Sequence, residues 1–182
     1  MSFSRVQSDT TKGSTLNEDY FGLSDALDTI VSFLQETANA KQVFIEIACD
    51  LIAMIKADKS KILQVVINLI SNAVKFAPKR SVVRVDAIYD EVFEELTIRV
   101  TDNGPGISEE DQAKLFKPFG VIKKTMSLNP NGTGLGLFIC KKLCEEMDGS
   151  IKCKSTRHET TFSLTIKAQM IKPNLDTMQN IE

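Results

Sequence analysis

In residues 61–78, K-I-L-Q-V-V-I-N-L-I-S-N-A-V-K-F-A-P, Asn68 and Asn72 stand one helical turn apart and Lys75 follows three residues later. Gln64, Asn68, Ser71, Asn72 and Lys75 recur on one face of a helix. A solvated face would ordinarily carry Glu, Lys and Gln. Asparagine is a weaker helix former, because its short amide competes for backbone hydrogen bonds. A column of amide oxygens ending in a cation could hold a metal ion and then a phosphate. The plain alternative is the polar side of an amphipathic helix whose apolar stripe is Ile62, Val66, Leu69, Ile70, Ala73 and Ala77. Pro78 stops the helix in either case.

D-N-G-P-G-I, residues 102–107, follows an apolar strand. All of its first residues favour turns, and a turn is the simple reading. Two details point further. Asp102 closes the strand, so its carboxylate is partly buried and needs a donor. Gly104 and Gly106 bracket Pro105 and remove side chains where a flat group could approach the backbone. A carboxylate beside such an opening can accept a hydrogen bond from an exocyclic amine such as that of adenine. N-G-T-G-L-G-L, residues 131–137, runs from a loop into a helix. Its glycines either let amides converge on phosphate at the positive end of the helix dipole or simply permit tight packing. The spacing matches neither the dinucleotide fingerprint nor a P-loop. L-F-K-P-F, residues 115–119, reads as two core phenylalanines hinging the base of a loop. Lys123 and Lys124 beyond it either reach a terminal phosphate or are solvated.

The elements that must position these residues follow from pattern. Ser24 caps a helix with apolar Leu27, Ile30, Val31 and Leu34, ending near Lys41. Residues 43–49 read as a strand. Residues 81–89 and 95–102 alternate as strands of an antiparallel hairpin. Ser108 opens a short helix with Asp111 three positions on. Residues 116–133 form a long loop of the kind that works as a lid. Residues 134–147 form a second amphipathic helix with Gly149 at its C-terminal cap. Residues 151–155 and 160–167 close the chain as a hairpin. The order predicts an α+β fold, a two-layer α/β sandwich with a mostly antiparallel mixed sheet covered by helices on one face. Residues 1–17 and 171–182 read as flexible tails around one domain at 18–170, without internal repeats.

A chain of 182 residues with net charge −2 and interspersed signs suits one domain and carries no nucleic-acid footprint. An anionic ligand must then be held by local geometry. No apolar run reaches a membrane span, and the start lacks a signal-peptide core. Cys49, Cys140, Cys144 and Cys153 show no CxxC spacing; Cys140 and Cys144, one turn apart, read as buried thiols of an intracellular protein.

Taken in order, Asn-xxx-Asn-xx-Lys-Phe, Asp-x-Gly-x-Gly, Phe-xx-Phe and Gly-x-Gly-x-Gly resemble the ATP-binding domain of histidine protein kinases. That domain has the Bergerat fold, shared with gyrase, the mismatch-repair ATPase and the heat-shock chaperone. The resemblance covers roughly residues 20–167. It implies that Asn72 ligates Mg²⁺ on the phosphates of ATP, with Asn68 assisting directly or through water. Lys75 would neutralise phosphate charge and Phe76 would pack on adenine. Asp102 would accept the adenine amine, with Gly104, Gly106 and Ile107 lining the base. Lys123 and Lys124 would approach the terminal phosphate. Gly132, Thr133, Gly134, Leu135, Gly136 and Leu137 would lie along phosphates and ribose. Thr160 would join Asp102 in a water network at the adenine.

The chain departs from the family pattern at Lys117, where an acidic residue is common, and at Arg157-His158-Glu159, which replaces a Gly-rich turn. The family's phosphoacceptor histidine is missing: His158, the one histidine, precedes an alternating strand and reads as a surface turn residue. The expectation is a catalytic domain transferring the γ-phosphoryl of MgATP to a histidine on a separate helical hairpin domain, upstream or in trans, and thence to a response-regulator receiver. Dimerisation would come only through that hairpin, and the chain would be cytoplasmic or the cytoplasmic part of a larger sensor. An amide at Asn68, where related hydrolases place a water-activating Glu, cannot act as a general base, so slow hydrolysis is expected. The alternatives are a non-catalytic nucleotide sensor and a weak ATPase or kinase of the same fold acting elsewhere.

Overall fold

The computed structural model describes residues 16–49, 53–120 and 133–172. Along these the chain forms β1 (Asp19–Gly22), α1 (Leu23–Lys41), β2 (Phe44–Ala48), β3 (Met54–Ala57), α2 (Lys59–Phe76), β4 (Val82–Asp90), β5 (Glu95–Asp102), α3 (Glu109–Gln112), α4 (Gly136–Glu146), β6 (Ser150–Ser155), β7 (Thr160–Lys167) and β8 (Gln169–Ile171).

Period-two alternation builds the main sheet. Val83 and Val85 of β4, Leu96, Ile98 and Val100 of β5, and Phe162, Leu164 and Ile166 of β7 all point to one buried face. The opposite face is polar, and cross-strand hydroxyl pairs tie it together: Thr97 to Thr165 at 3.0 Å and Thr101 to Thr161 at 2.9 Å. The strand order is β2-β4-β5-β7-β6, parallel between β2 and β4 and antiparallel elsewhere. Helices cover the apolar face, α2 against β4 and β5, α1 against β2, and α4 against β6 and β7. The expected two-layer α+β sandwich is therefore the observed one.

The central helix α2 packs against both α1 and α4. Its N-terminus is capped by Asp58, whose carboxylate accepts the backbone N–H of Lys61 at 3.1 Å. Ile62, Val65, Val66, Leu69, Ile70, Ala73 and Val74 are buried, which leaves Asn68, Asn72 and Lys75 on a half-buried flank.

Several expectations need correction. Ser24 does not cap α1: the chain turns straight from β1 into the helix at Gly22, and Ser24 lies inside the first turn. Strands of three and four residues are too short to show alternation, so the sequence pattern does not reveal the second sheet, β1-β3-β8. Helix α4 starts at Gly136 rather than 134. At its other end Asp148, not Gly149, takes the left-handed conformation (φ 49°), while Gly149 donates to the Cys144 carbonyl at 2.9 Å. Gly149 is needed instead because a side chain there would run into the Thr165 carbonyl. Of the long loop, residues 116–120 and 133 are described. Phe116 packs edge-on against Phe162 with centroids 6.4 Å apart, but Phe119 is 72% exposed with φ 59°, so only one of the two phenylalanines joins the core. Cys140 and Cys144 are buried, and burial pushes both thiols up to about 12, so they stay protonated at neutral pH. Among the described residues, no helix is long and apolar enough to cross a membrane.

Candidate functional site

The polar flank of α2 is an ordered column. Asn72 Nδ2 donates to Asn68 Oδ1 at 2.9 Å, which turns the Asn72 oxygen away from its neighbour. The N-terminus of α4 abuts the column at its lower end. A Cβ placed on Gly136 would lie 2.7 Å from Asn68 Nδ2, so only glycine lets the helix start this close to the amide. The preceding residues set the approach: Gly134 is left-handed (φ 69°), and the exposed Thr133 hydroxyl accepts from Leu135 N at 3.4 Å. Leu135 occupies the N-cap position and makes no side-chain cap, which leaves the first amides of α4 uncapped by it. Leu137 packs against the core.

Two turns up, α2 ends at Phe76 beside the loop after β5. Asp102 is 4% exposed and its Oδ1 accepts the Gly104 N–H at 2.7 Å. A Cβ on Gly104 would stand 2.5 Å from Asp102 Oδ1 and 3.2 Å from the Phe76 carbonyl. Gly106 is left-handed (φ 69°), and a Cβ there would strike the Thr156 carbonyl. These glycines thus allow close packing of the chain on itself. Burial raises the Asp102 carboxyl from 3.8 to about 6, against the opposing pull of the Gly104 N–H and the Lys41 ammonium, with Glu159 adding to the rise.

Asp102 is in register with Thr160 on β7. Thr160 is buried, and its hydroxyl lies 2.7 Å from Ser155 Oγ. Ser155 also accepts the Ile107 N–H at 2.9 Å, and Gln112 Nε2 donates to the Ile107 carbonyl at 2.8 Å. Ser155 and Gln112 therefore moor the loop that carries Asp102, and neither was found by sequence reasoning. The available signal was that Ser155 ends the strand facing Thr160. Cys153, also on β6, feels the Asp102 charge, and burial first and that charge second push its thiol up to about 12. Lys41, the last residue of α1, was missed as well; its ammonium donates to the Lys75 carbonyl at the end of α2.

The structure thus joins Gly136, Asn68, Asn72, Phe76, Gly104, Asp102 and Thr160 in one continuous run along α2 and the ends of β5 and β7. Lys75 lies on the last turn of α2 within that run. Lys123, Lys124 and Gly132 lie outside the described residues. His158 is exposed in the β6–β7 turn, as expected.

The sequence profile of the histidine kinase-, DNA gyrase B- and HSP90-like ATPases matches residues 57–170. Sensor protein GacS of Pseudomonas syringae pv. syringae is 34% identical over 166 residues, which is 88% of this chain. The chain spans 18% of the length of that protein. The catalytic domain of histidine kinase ThkA superposes with a TM-score of 0.70 at 26% identity, over 82% of this chain and 95% of that one. Full-length ShkA in complex with AMPPNP shares the fold, with a TM-score of 0.76 at 22% identity over 87% of this chain and 33% of that one. With the amide column, the buried acid and the glycine-led helix arranged as described, the chain belongs to the histidine kinase-, DNA gyrase B- and HSP90-like ATPase family, as an ATP-binding domain of the histidine-kinase type.

Proposed function

We propose that this domain binds MgATP along α2 and transfers the γ-phosphoryl group to a histidine on a separate helical hairpin domain. The observation that carries the reading is the Asn68–Asn72 column, with the glycine-led start of α4 at one end and the buried Asp102 at the other. A nucleotide laid along this run has its base at Asp102 and its phosphates at Asn72.

Each residue has a role its chemistry allows. Asp102, ionised above about pH 6, accepts the adenine amine, and Thr160 and Ile107 border the base. Phe76 offers its ring to adenine. Lys75 offsets phosphate charge, and Lys123 and Lys124, outside the described residues, would add to it. The amides from Gly132 to Leu137 meet phosphate oxygens at the positive end of α4. Asn68 holds Asn72 by their hydrogen bond and, as an amide, does not deprotonate water, so transfer is favoured over hydrolysis.

Amide oxygens are hard donors of the kind Mg²⁺ accepts, though this ion ordinarily also takes carboxylates and substrate phosphates. Among the described residues no group of three or more His, Cys, Asp or Glu could hold a metal. The donor set of Asn72 with Asn68 therefore fits Mg²⁺ in company with phosphate, not alone. When bound, the ion supplies positive charge against the phosphates; the protein's share is positioning and charge neutralisation. A response-regulator receiver would take the group onward, and the setting would be cytoplasmic.

The test is incubation of the domain with γ-labelled ATP and a separately purified phosphoacceptor hairpin. Acid-labile, base-stable label on the hairpin is expected, and its loss in Asn72→Ala. Nucleotide binding with no transfer would instead indicate a sensor, and release of free phosphate alone an ATPase.

A further inference from the structure

The hydrogen bond from Lys41 joins two helix ends beside the buried acid. Lys41 closes α1, and its ammonium donates to the carbonyl of Lys75 in the last turn of α2. Backbone bonds make this corner rigid: Gln42, left-handed at φ 60°, accepts from Arg80 N at 2.6 Å, and Phe44 N donates to Ser81 O at 3.0 Å. The C-terminal carbonyls of α2 form the negative end of its dipole. One residue beyond Lys75, the Phe76 carbonyl lies beside Gly104, 3.2 Å from where a Cβ would stand on that glycine, and the Gly104 N–H holds Asp102. A buried carboxylate thus lies next to the negative end of a helix. Left alone, that arrangement would favour the protonated acid.

We infer that Lys41 is a positioning residue for Asp102, keeping the carboxylate in the charged form that accepts the adenine amine and tying the end of α2, beside the Asp102 loop, to the end of α1. The inference rests on the adenine contact proposed above. Supporting it, the Lys41 and Asp102 charges each stabilise the other's ionised form: burial draws the Lys41 ammonium down while Asp102 draws it up and Lys75 opposes. Facing Asp102 from the other elements are Glu159 of the β6–β7 turn and the Cys153 thiol of β6, neither of which supplies a cation. A lysine serving only to close α2 would affect folding but not the protonation of Asp102.

Two measurements on Lys41→Met and Lys41→Arg separate these. The first follows the Asp102 carboxyl carbon by NMR as the nucleotide-free domain is titrated. Lys41→Met should move the transition to higher pH, and Lys41→Arg should leave it near that of the parent. The second is calorimetric affinity for ADP from acid to mildly alkaline pH. Lys41→Met should bind more weakly on the acid side, by about tenfold for each pKa unit that Asp102 has moved at pH values below both transitions. That loss should shrink through neutral pH and disappear as pH rises above the shifted transition. An unmoved Asp102 titration, or an affinity loss equal at every pH, overturns the inference. If Asp102 moves but ADP affinity ignores pH in parent and variant alike, the adenine contact itself is wrong, and the role of Lys41 in binding falls with it.

Discussion

At the scale of single residues, the Asp102 carboxylate is held against its own preference. Its folded-state pKa of about 6 stands above the ordinary 3.8, so the folded domain takes up a proton more readily than the unfolded chain. The resulting stabilisation is complete below about pH 4 and is lost as pH rises through about 6. At about 1.4 kcal/mol per pKa unit, ionising Asp102 costs at most about 3 kcal/mol at neutral pH. The amide introduced by Asp102→Asn would still accept the Gly104 N–H without carrying a charge. We therefore expect Asp102→Asn to raise the urea midpoint at pH 7, with the gain vanishing below about pH 4. The same variant should bind ADP about tenfold or more weakly, because a charge-assisted hydrogen bond of about 1.5–3 kcal/mol is lost. A variant both less stable and unaltered in ADP affinity would remove Asp102 from the site. In the parent, ADP affinity should fall about tenfold per pH unit below about pH 6, which the same calorimetry reads.

Between elements, the decisive contact is that of α4 with α2 at Gly136 and Asn68. Alanine is the better helix former by about 0.8–1 kcal/mol, so Gly136→Ala favours α4 taken alone. Its Cβ, however, would stand 2.7 Å from Asn68 Nδ2 and displace that amide from Asn72. We expect the melting temperature of Gly136→Ala to change little while Mg²⁺-dependent binding of a non-hydrolysable ATP analogue drops by about tenfold or more, equivalent to about 1.4 kcal/mol. Unchanged binding would mean that the amide column does not hold the phosphates. This contact also marks where sequence reasoning stops. The polar column, Asp102 as a buried acid in need of a donor, and both long hairpins were legible, because spacing and alternation act within one element. Ser155, Gln112 and Lys41 were not, because each acts across elements distant in sequence, and a lone Ser, Gln or Lys carries no local sign of its partner. Gly104 and Gly106 were recognised, but the neighbours that crowd a Cβ there, the Asp102 carboxylate and the Thr156 carbonyl, come from the fold and could not be read from the hexapeptide.

Over the whole molecule, the two sheets divide the labour. Asp102 and Thr160 end their strands at the site, while Glu95 and Lys167 pair at the far end of the same ladder. There the chain leaves β7 through Ala168, whose N–H donates to Glu94 at 3.0 Å and whose carbonyl accepts the Tyr89 hydroxyl at 2.8 Å. It then adds β8 to β3, the strand that leads into the Asp58 cap of α2. A two- or three-strand sheet of this length has little stability of its own. Its contribution must come from packing: Ala168 is buried and Met170 rests on the core. Ending the chain after Lys167 would remove both, together with the acceptor of the half-buried Tyr89 hydroxyl. From one lost hydrogen bond and the lost apolar burial we expect destabilisation of about 2–4 kcal/mol, measured by urea unfolding. Because β8 lies at the opposite end from Asp102, the fraction still folded should bind ADP with unchanged affinity. Equal stability of the shortened chain would show that β8 is dispensable; a parallel loss of intrinsic ADP affinity would show that the two ends of the sheet are coupled rather than independent.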